Sequence, residues 1–517
     1  MFFLMPDPRR VRLTGFAPIL GISMLLACGG SGSADESSEA STDSEASSEG
    51  ETDASEASSA SSESEEATET DTTEETGTQA ELELTISDNP DMTIAPFADI
   101  VGADDSATRI TVYEDGVEVL NREVSDIDPS DPESLRTFLW GLRADTDYTI
   151  IADADLPGGL GVSPEVAFST GSLPVGVPTL TVSNHDETRA HEGLVMFSVR
   201  ADGYQIYLGV NPAGEIVWYH ETGGTGNKLN GDLKVMADGR LMLFRPGGVQ
   251  VIEPWGEVVF GSDYTFHHDV TPLPNGNYLL LGRVNEDIDV AQLGGVVTVK
   301  VDTLTEVTPE GTEVTNWVAS DHLDTQYYPS ALSMGGDPVD WTHDNAAYYD
   351  ADNSRVLLSA RHLHWVVAID WPSGDVQWRM GPGGDFAFSG AAEDWFYAQH
   401  APEPDGDGRM VVYDNGNERP GGQNYSRGVV IDYDETAMTA EVSWDHVITP
   451  QTSFLGDADR MSNGNVLMTA GGALASTDPV RIIEAAGDAS SDVVWELSID
   501  GGGNVYRATN LETLEGL

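Results

Sequence analysis

From residue 81 onward, apolar and polar positions alternate in short runs separated by Gly, Asn, Asp and Pro. A period of two predicts strands, and the punctuation predicts hairpins. Runs at 82–86, 109–113 and 148–152 begin the series. From residue 214 the pattern repeats: a turn, a few residues, then an apolar position and an aromatic. The aromatics are Trp218, Phe260, Trp317, Trp378, Trp444 and Trp495, spaced 42, 57, 61, 66 and 51 residues apart. Gly214, Gly256, Gly311 and Gly374 open the first four copies, whereas Ala440 and Asp492 stand in the last two. A four-stranded propeller blade needs about 40 residues or more, and loops take up the excess. Six copies therefore predict six blades, each aromatic closing the outer strands of its blade and packing on a neighbour.

A second repeat lies inside the first. Tight turns are predicted at 237–240, 274–277, 351–354, 406–409 and 462–465, each followed by an apolar strand. Upstream of these turns stand Asp232, His268, His343, His400 and Asp457. Equivalent positions of successive blades are thus polar, and three carry histidine. Innermost strands line the channel of a propeller, so the three histidines are expected at one mouth. Arg361, 18 residues after His343, is expected beside them. Imidazole can be a nucleophile, an acid or base, or a metal ligand. A guanidinium nearby disfavours a cation and favours an oxyanion, so no metal is assigned.

The first 28 residues change the picture at the other end. Arg9, Arg10 and Arg12 precede an apolar stretch too short for a comfortable membrane span. The stretch ends Leu25-Leu26-Ala27-Cys28, which resembles a bacterial lipobox, with Cys28 the lipidated residue. Cys28 is the sole cysteine, so neither an intramolecular disulfide nor a multi-cysteine zinc site exists. Residues 31–80 hold 16 acidic residues and no basic one, and almost nothing large and apolar. Such a segment cannot offset its chain entropy by burial and is expected to be a disordered tether. The organisation read is 1–27 signal peptide, 28–80 lipidated cysteine and tether, 81–175 sandwich and 176–517 propeller. The chain carries a formal net charge of −64, which excludes nucleic-acid backbones as partners. About −50 of it falls on residues 81–517, which suggests a saline setting. The implied location is the cell envelope, anchored to the outer membrane and facing the periplasm or the surface. A homodimer is left open.

Residues 166–171, with 142–148, resemble the end of a fibronectin-III-like sandwich. The fold class is therefore all-β: a six-bladed β-propeller preceded by a small fibronectin-III/Ig-like β-sandwich and a disordered acidic tether.

Three segments carry a more specific resemblance. They are His267-His268-Asp269 with the following Pro274-Asn-Gly-Asn277, Asp340-Trp-Thr-His343-Asp-Asn345 with Ser359 and Arg361, and Gln399-His400 with Tyr413-Asp-Asn-Gly416. They resemble the bacterial arylsulfotransferase family, over about residues 180–510. That resemblance implies ping-pong transfer of a sulfuryl group from an aryl sulfate to a phenolic acceptor, with no nucleotide donor and no cofactor. It implies that His400 is the nucleophile and forms a sulfohistidine. His343, Asn345 and Arg361 would bind the sulfuryl oxygens, and His268, with His267 as its neighbour, would complete the channel set. His268 or His343 would move the phenol proton. Ala401 follows His400 where many relatives have Asp, so the second ring nitrogen of His400 is expected to be left to water or backbone. Strand alternation from Arg361 would put His362 and His364 on the opposite face, exposed or structural. Trp341, Tyr348, Trp395, Phe396 and Tyr397 are assigned to blade packing rather than to aryl binding. Two other readings compete. One is a non-catalytic surface propeller that binds anionic or aromatic ligands. The other is a quinoprotein-type dehydrogenase, disfavoured by three channel histidines and no vicinal cysteines.

Overall fold

A computed structural model describes residues 82–514, apart from 104–106, 125, 129–130, 132–133, 202–203, 224–230, 407, 424, 473–479 and 501–503. The segments expected to be a signal peptide, a lipidated Cys28 and an acidic tether lie outside the described residues. Two sheets form the first layer pair: Glu83–Ser87, Phe97–Val101 and Ser134–Phe138 face Val117–Glu123, Thr108–Glu114, Asp147–Leu156, Gly159–Val162 and Val166–Ser169. Asp147–Leu156 alternates buried and half-exposed residues along nearly its whole length, as a strand with one face on a core must. That core holds Leu84, Ile100, Ile110, Val112, Tyr148 and Ile150. Thr93 N–H donates to the Tyr219 hydroxyl at 2.9 Å, and Asn89 Nδ2 to the Trp255 carbonyl at 2.9 Å. These bonds seat the sandwich on the sheets formed by the C-terminal part of the chain.

Six sheets make up that part, antiparallel except for one short parallel pairing in each of the third and fifth. Blades 2 to 5 each run from an inner to an outer strand. Their inner strands are Leu233–Val235, Val270–Pro272, Asp344–Asp350 and His400–Pro404. Blade 6 starts from Asp457–Arg460 and takes Leu180–His185, the first strand after the sandwich, as its outermost member. Blade 1 takes its inner strand, Ala508–Leu511, from the chain's end, paired with Leu194–Ala201. First and last sheets thus each take a strand from the opposite end of the segment, which ties blade 6 to blade 1 through the chain itself.

The strand sequences explain the packing. Arg355–Ala360 in blade 4 is buried at every residue because blades 3 and 5 cover its two faces. Its Val356, Leu357 and Leu358 are 0 % exposed, and burying each contributes about 1.5–3 kcal/mol. The repeating aromatics do what their period predicts. The indole N–H of Trp218 donates to the Pro254 carbonyl (2.7 Å), Trp317 to Gly374 (3.1 Å), Trp444 to Ala486 (3.0 Å) and Trp495 to Pro212 (2.7 Å). Each of these bonds runs from one blade to a turn of the next, and the last joins blade 6 to blade 1. The five predicted turns are the hairpins between first and second strands of blades 2 to 6. Gly239, Gly276 and Gly464 take φ of 85°, 84° and 85° there, a conformation that glycine adopts without steric penalty. Among the described residues, no helix is long and apolar enough to cross a membrane.

Candidate active site

The inner strands of blades 3, 4 and 5 begin at one end of the channel, and the three repeat histidines stand at those beginnings. His268 and His343 sit just before their strands in left-handed backbone, φ 61° and 47°. That costs a non-glycine residue on the order of 1 kcal/mol and turns both rings inward. Their ring centroids are 5.1 Å apart, edge to face. His400 opens its strand, 3 % exposed, close enough to feel the charge state of His343. The expected convergence is present.

His400 is held in one tautomer. Its Nδ1 lies 2.5 Å from Asn415 Oδ1. Asn415 Nδ2 donates to the carbonyls of Thr452 (2.7 Å) and Leu455 (2.8 Å), so its oxygen must face the histidine. Nδ1 therefore carries the proton, and Nε2 keeps a lone pair. The expectation that this nitrogen would be left to water or backbone is corrected: a side chain from the neighbouring strand replaces the missing acidic acceptor. Burial first, then the Arg361 charge, holds His400 well below the usual imidazole range. The ring is neutral at pH 7.

Arg361 is 7 % exposed, and its Nη2 donates to the Ser453 carbonyl at 3.0 Å. Among the described residues it forms no ion pair. Burial lowers it to about 10, against the pull of Asp340 and Glu418. A buried guanidinium with no carboxylate in direct contact is costly unless an anion completes it.

The region after Arg361 departs from strand alternation. The strand ends at Ala360, and Arg361–Leu363 is a turn of 3-10 helix capped by His364 at φ 57°. His362 and His364 are consequently buried, 6 % and 4 % exposed, rather than projecting to solvent. His362 stacks on His343, with centroids 4.5 Å apart. Burial, then His343 and Arg361, lowers His362 to about 3, and burial, then Arg361, lowers His364 to about 4. Asp340 orders the stacked pair. Its Oδ2 is 2.7 Å from His343 Nδ1, and its carbonyl accepts from His362 Nδ1 at 2.7 Å. Asp340, His343 and His362 each offer a ligand atom within 4.8 Å of the others. Such a set suits a divalent transition metal in kind, but the unpaired Arg361 charge alongside argues for an anion instead.

The remaining candidates take supporting positions. His267 directs its Nε2 into blade 3, 3.0 Å from both Asp302 Oδ1 and the Gly282 carbonyl. Its Nδ1 is 2.8 Å from His268 Nδ1, so it fixes His268 rather than lining the channel itself. Asn345 is fully buried; Nδ2 donates to the Gln399 carbonyl at 2.8 Å, and Oδ1 has no hydrogen-bond partner. Asn345 thus ties the His343 strand to the residue before His400. Trp341, Trp395, Phe396 and Tyr397 pack within the blades. Tyr348 lines a cavity at the channel's other mouth.

Sequence alone does not single out Asp340, His362, Asn415 or Tyr506. Asp340 and Asn415 fall inside the motif segments, but nothing in their spacing marks them as partners. Tyr506 lies against His268, with centroids 6.3 Å apart, and its hydroxyl donates to the Asn345 carbonyl at 3.0 Å. Behind it, Arg507 Nη1 pairs with Asp232 (2.8 Å) and Asp269 (3.2 Å), and Nη2 donates to the Asn345 carbonyl (3.0 Å). These two residues close the floor of the histidine chamber.

A family model described as arylsulfotransferase (ASST) matches residues 179–507, more than half of the chain. No curated protein matches the chain. Among solved structures, a putative oxidoreductase (glucose dehydrogenase) from Thermus thermophilus is 10 % identical, covering 70 % of this chain and 97 % of its own, with a TM-score of 0.22. A DUF4784 family protein from Bacteroides caccae is also 10 % identical, covering 70 % and 98 %, with a TM-score of 0.24. Likeness at that level carries no argument about chemistry.

Proposed function

Starting from the fact that the chain belongs to the arylsulfotransferase family, we propose that it transfers a sulfuryl group from an aryl sulfate to a phenol through a sulfohistidine on His400. The observation that supports this best is the pairing of a neutral, tautomer-fixed imidazole with a buried arginine that forms no direct ion pair among the described residues. An aryl sulfate supplies both what the imidazole attacks and what the arginine lacks.

In the first half-reaction, His400 Nε2 forms a bond to sulfur while the sulfur–oxygen bond to the aryl group breaks. The electron pair leaves on the phenolate oxygen, a better leaving group than an alkoxide. The imidazole becomes positive, and Asn415 Oδ1 accepts its remaining N–H. Arg361 takes the spread negative charge of the sulfuryl oxygens, where a fixed donor in a dry site is worth most. His343, hydrogen-bonded to Asp340, supplies the phenol proton; burial holds His268 well below the usual imidazole range, so it serves only as a neutral hydrogen-bonding neighbour. In the second half-reaction the acceptor phenol returns that proton, its oxygen attacks sulfur, and the nitrogen–sulfur bond breaks to restore His400. Asn345 serves this scheme by fixing the strand ends, and His267 by orienting His268. We also propose lipid anchoring at Cys28 and a place in the cell envelope, which the opening residues support.

The test is release of 4-nitrophenol from 4-nitrophenyl sulfate by the full-length protein, with and without a phenol acceptor. His400→Ala is expected to lower the rate by about 10³-fold or more, as removal of a covalent nucleophile does. Chelation with EDTA is expected to leave the rate unchanged. Loss of activity on chelation, restored by a metal, would shift Asp340, His343 and His362 to a metal site.

A further inference from the structure

The channel has a second mouth, at the hairpin-turn end of the inner strands. A cavity of about 680 Å³ opens there, and all six blades contribute to its wall. Tyr506 and Arg507 separate it from the histidine chamber. Its charges do not balance. Asp232 and Asp269 are neutralised by Arg507 and by Lys234, whose Nζ lies 3.3 Å from Asp232 and 3.0 Å from Asp269. Glu403, Asp457 and Asp459 line the same cavity and form no ion pair among the described residues. Asp457 is 4 % exposed, and one carboxylate oxygen each of Asp457 and Asp459 is buried without a hydrogen-bond partner. These acids are unlike the solvated acids that give the chain its net charge. An unpaired carboxylate in such a place is costly unless a proton or a cation joins it. Burial, opposed by Lys234 and Arg507, pushes Glu403 up to about 6, and burial pushes Asp457 and Asp459 well above the usual carboxylate range.

Two kinds of cation are compatible with oxygen donors. A bare metal ion needs ligand atoms converged on one coordination sphere. Among the described residues, the only such set is at the opposite mouth. The second-mouth carboxylates lie on the adjacent inner strands of blades 5 and 6 without converging on one coordination sphere, and the wall across from them, on blades 2 to 4, is apolar, with Leu233, Met236, Pro272 and Tyr348. Neighbouring acceptors set wider than a metal's coordination sphere, facing an apolar wall, suit a –NH3⁺ group, with three donors and a carbon body. Lys234 already shows an ammonium held by carboxylates in this mouth.

We propose that the second mouth of the channel binds a small organic ammonium, its –NH3⁺ on Asp457, Asp459 and Glu403 and its carbon body on Tyr348 and Met236. The site is separate from sulfuryl transfer and does not rest on it.

Calorimetric titration of the full-length protein tests this with phenethylamine and hexylamine, beside the neutral isostere 2-phenylethanol and calcium chloride. Saturable binding of at least one amine at millimolar concentration is expected, with none of 2-phenylethanol. The double variant Asp457→Asn, Asp459→Asn should weaken the amine by about 10-fold or more, since it removes charge-assisted hydrogen bonds. Met236→Trp, which fills the cavity and leaves the carboxylates in place, should weaken it too. An unchanged melting temperature in either variant shows that the fold survives. The proposal is overturned if no amine binds, if 2-phenylethanol binds equally, if calcium binds and amines do not, or if both variants bind as the parent does.

Discussion

At His400, two neighbours and burial set one chemical state. Asn415 chooses which nitrogen carries the proton, burial removes the charged form, and Arg361 adds repulsion against it. Because the folded value is depressed, the neutral nucleophile persists as pH falls below 6.5, the ordinary imidazole value. The acid limb of kcat/KM for 4-nitrophenyl sulfate should therefore lie below pH 6.5, and a limb at or above it would contradict this environment. Arg361→Gln should lower kcat by about 10²–10³-fold, as loss of an oxyanion donor does. It should also move the acid limb upward, because it removes the positive charge that disfavours imidazolium. A merely structural arginine would not shift the limb. Asn415→Leu should cost about 10²-fold in kcat with little change in KM, since it frees the tautomer without touching substrate. At this scale the sequence discloses types and not partners. The three histidines and Arg361 are legible because the blade repeat puts them in register. Asn415 is not, because its role depends on a hydrogen bond between residues 15 apart, from just past one strand to the start of its neighbour. His362 escapes a period-of-two reading because that period stops one residue before Arg361, where the strand ends.

Among the elements, the repeat itself explains why the sequence holds six aromatics but only five tight turns. Blade 1 has no hairpin between its first two strands, because Ala508–Leu511 comes from the chain's end. The mismatch in counts is the trace of ring closure, readable only once the sheet order is known. The indole bonds between blades give this closure a test. Trp495→Phe keeps most of the buried ring and deletes the donor to the Pro212 carbonyl across the seam of blades 6 and 1. Leaving that acceptor unpaired should cost about 1–3 kcal/mol. The check is thermal or urea denaturation, beside Val447→Thr at a 48 % exposed outer-strand position, which should change little. Equal effects would mean that the indole bonds do not hold the ring.

For the whole molecule, a net charge of −64 makes self-repulsion a standing load on the folded state. Added salt screens it, with a Debye length of about 10 Å at 0.1 M and about 3 Å at 1 M. The melting temperature should therefore rise between low and high NaCl, and a flat or falling trend would refute a saline adaptation. The all-β class and blade number are legible at this scale because both follow from periodicity. The opposing chemistry of the two channel mouths is not, since it depends on which inner-strand residues Tyr506 and Arg507 separate.

That separation has a consequence for traffic. Among the described residues, Tyr506, Arg507 and the carboxylates paired with it stand between the histidines and the second mouth, so donor and acceptor are expected to share the first mouth. Donor and acceptor must then queue for the same threshold, and a spent phenol that lingers there bars the next guest. A waiting room of this kind favours handing the cargo to the wall over a meeting of both guests inside. The spent phenol should accordingly compete with the acceptor for entry.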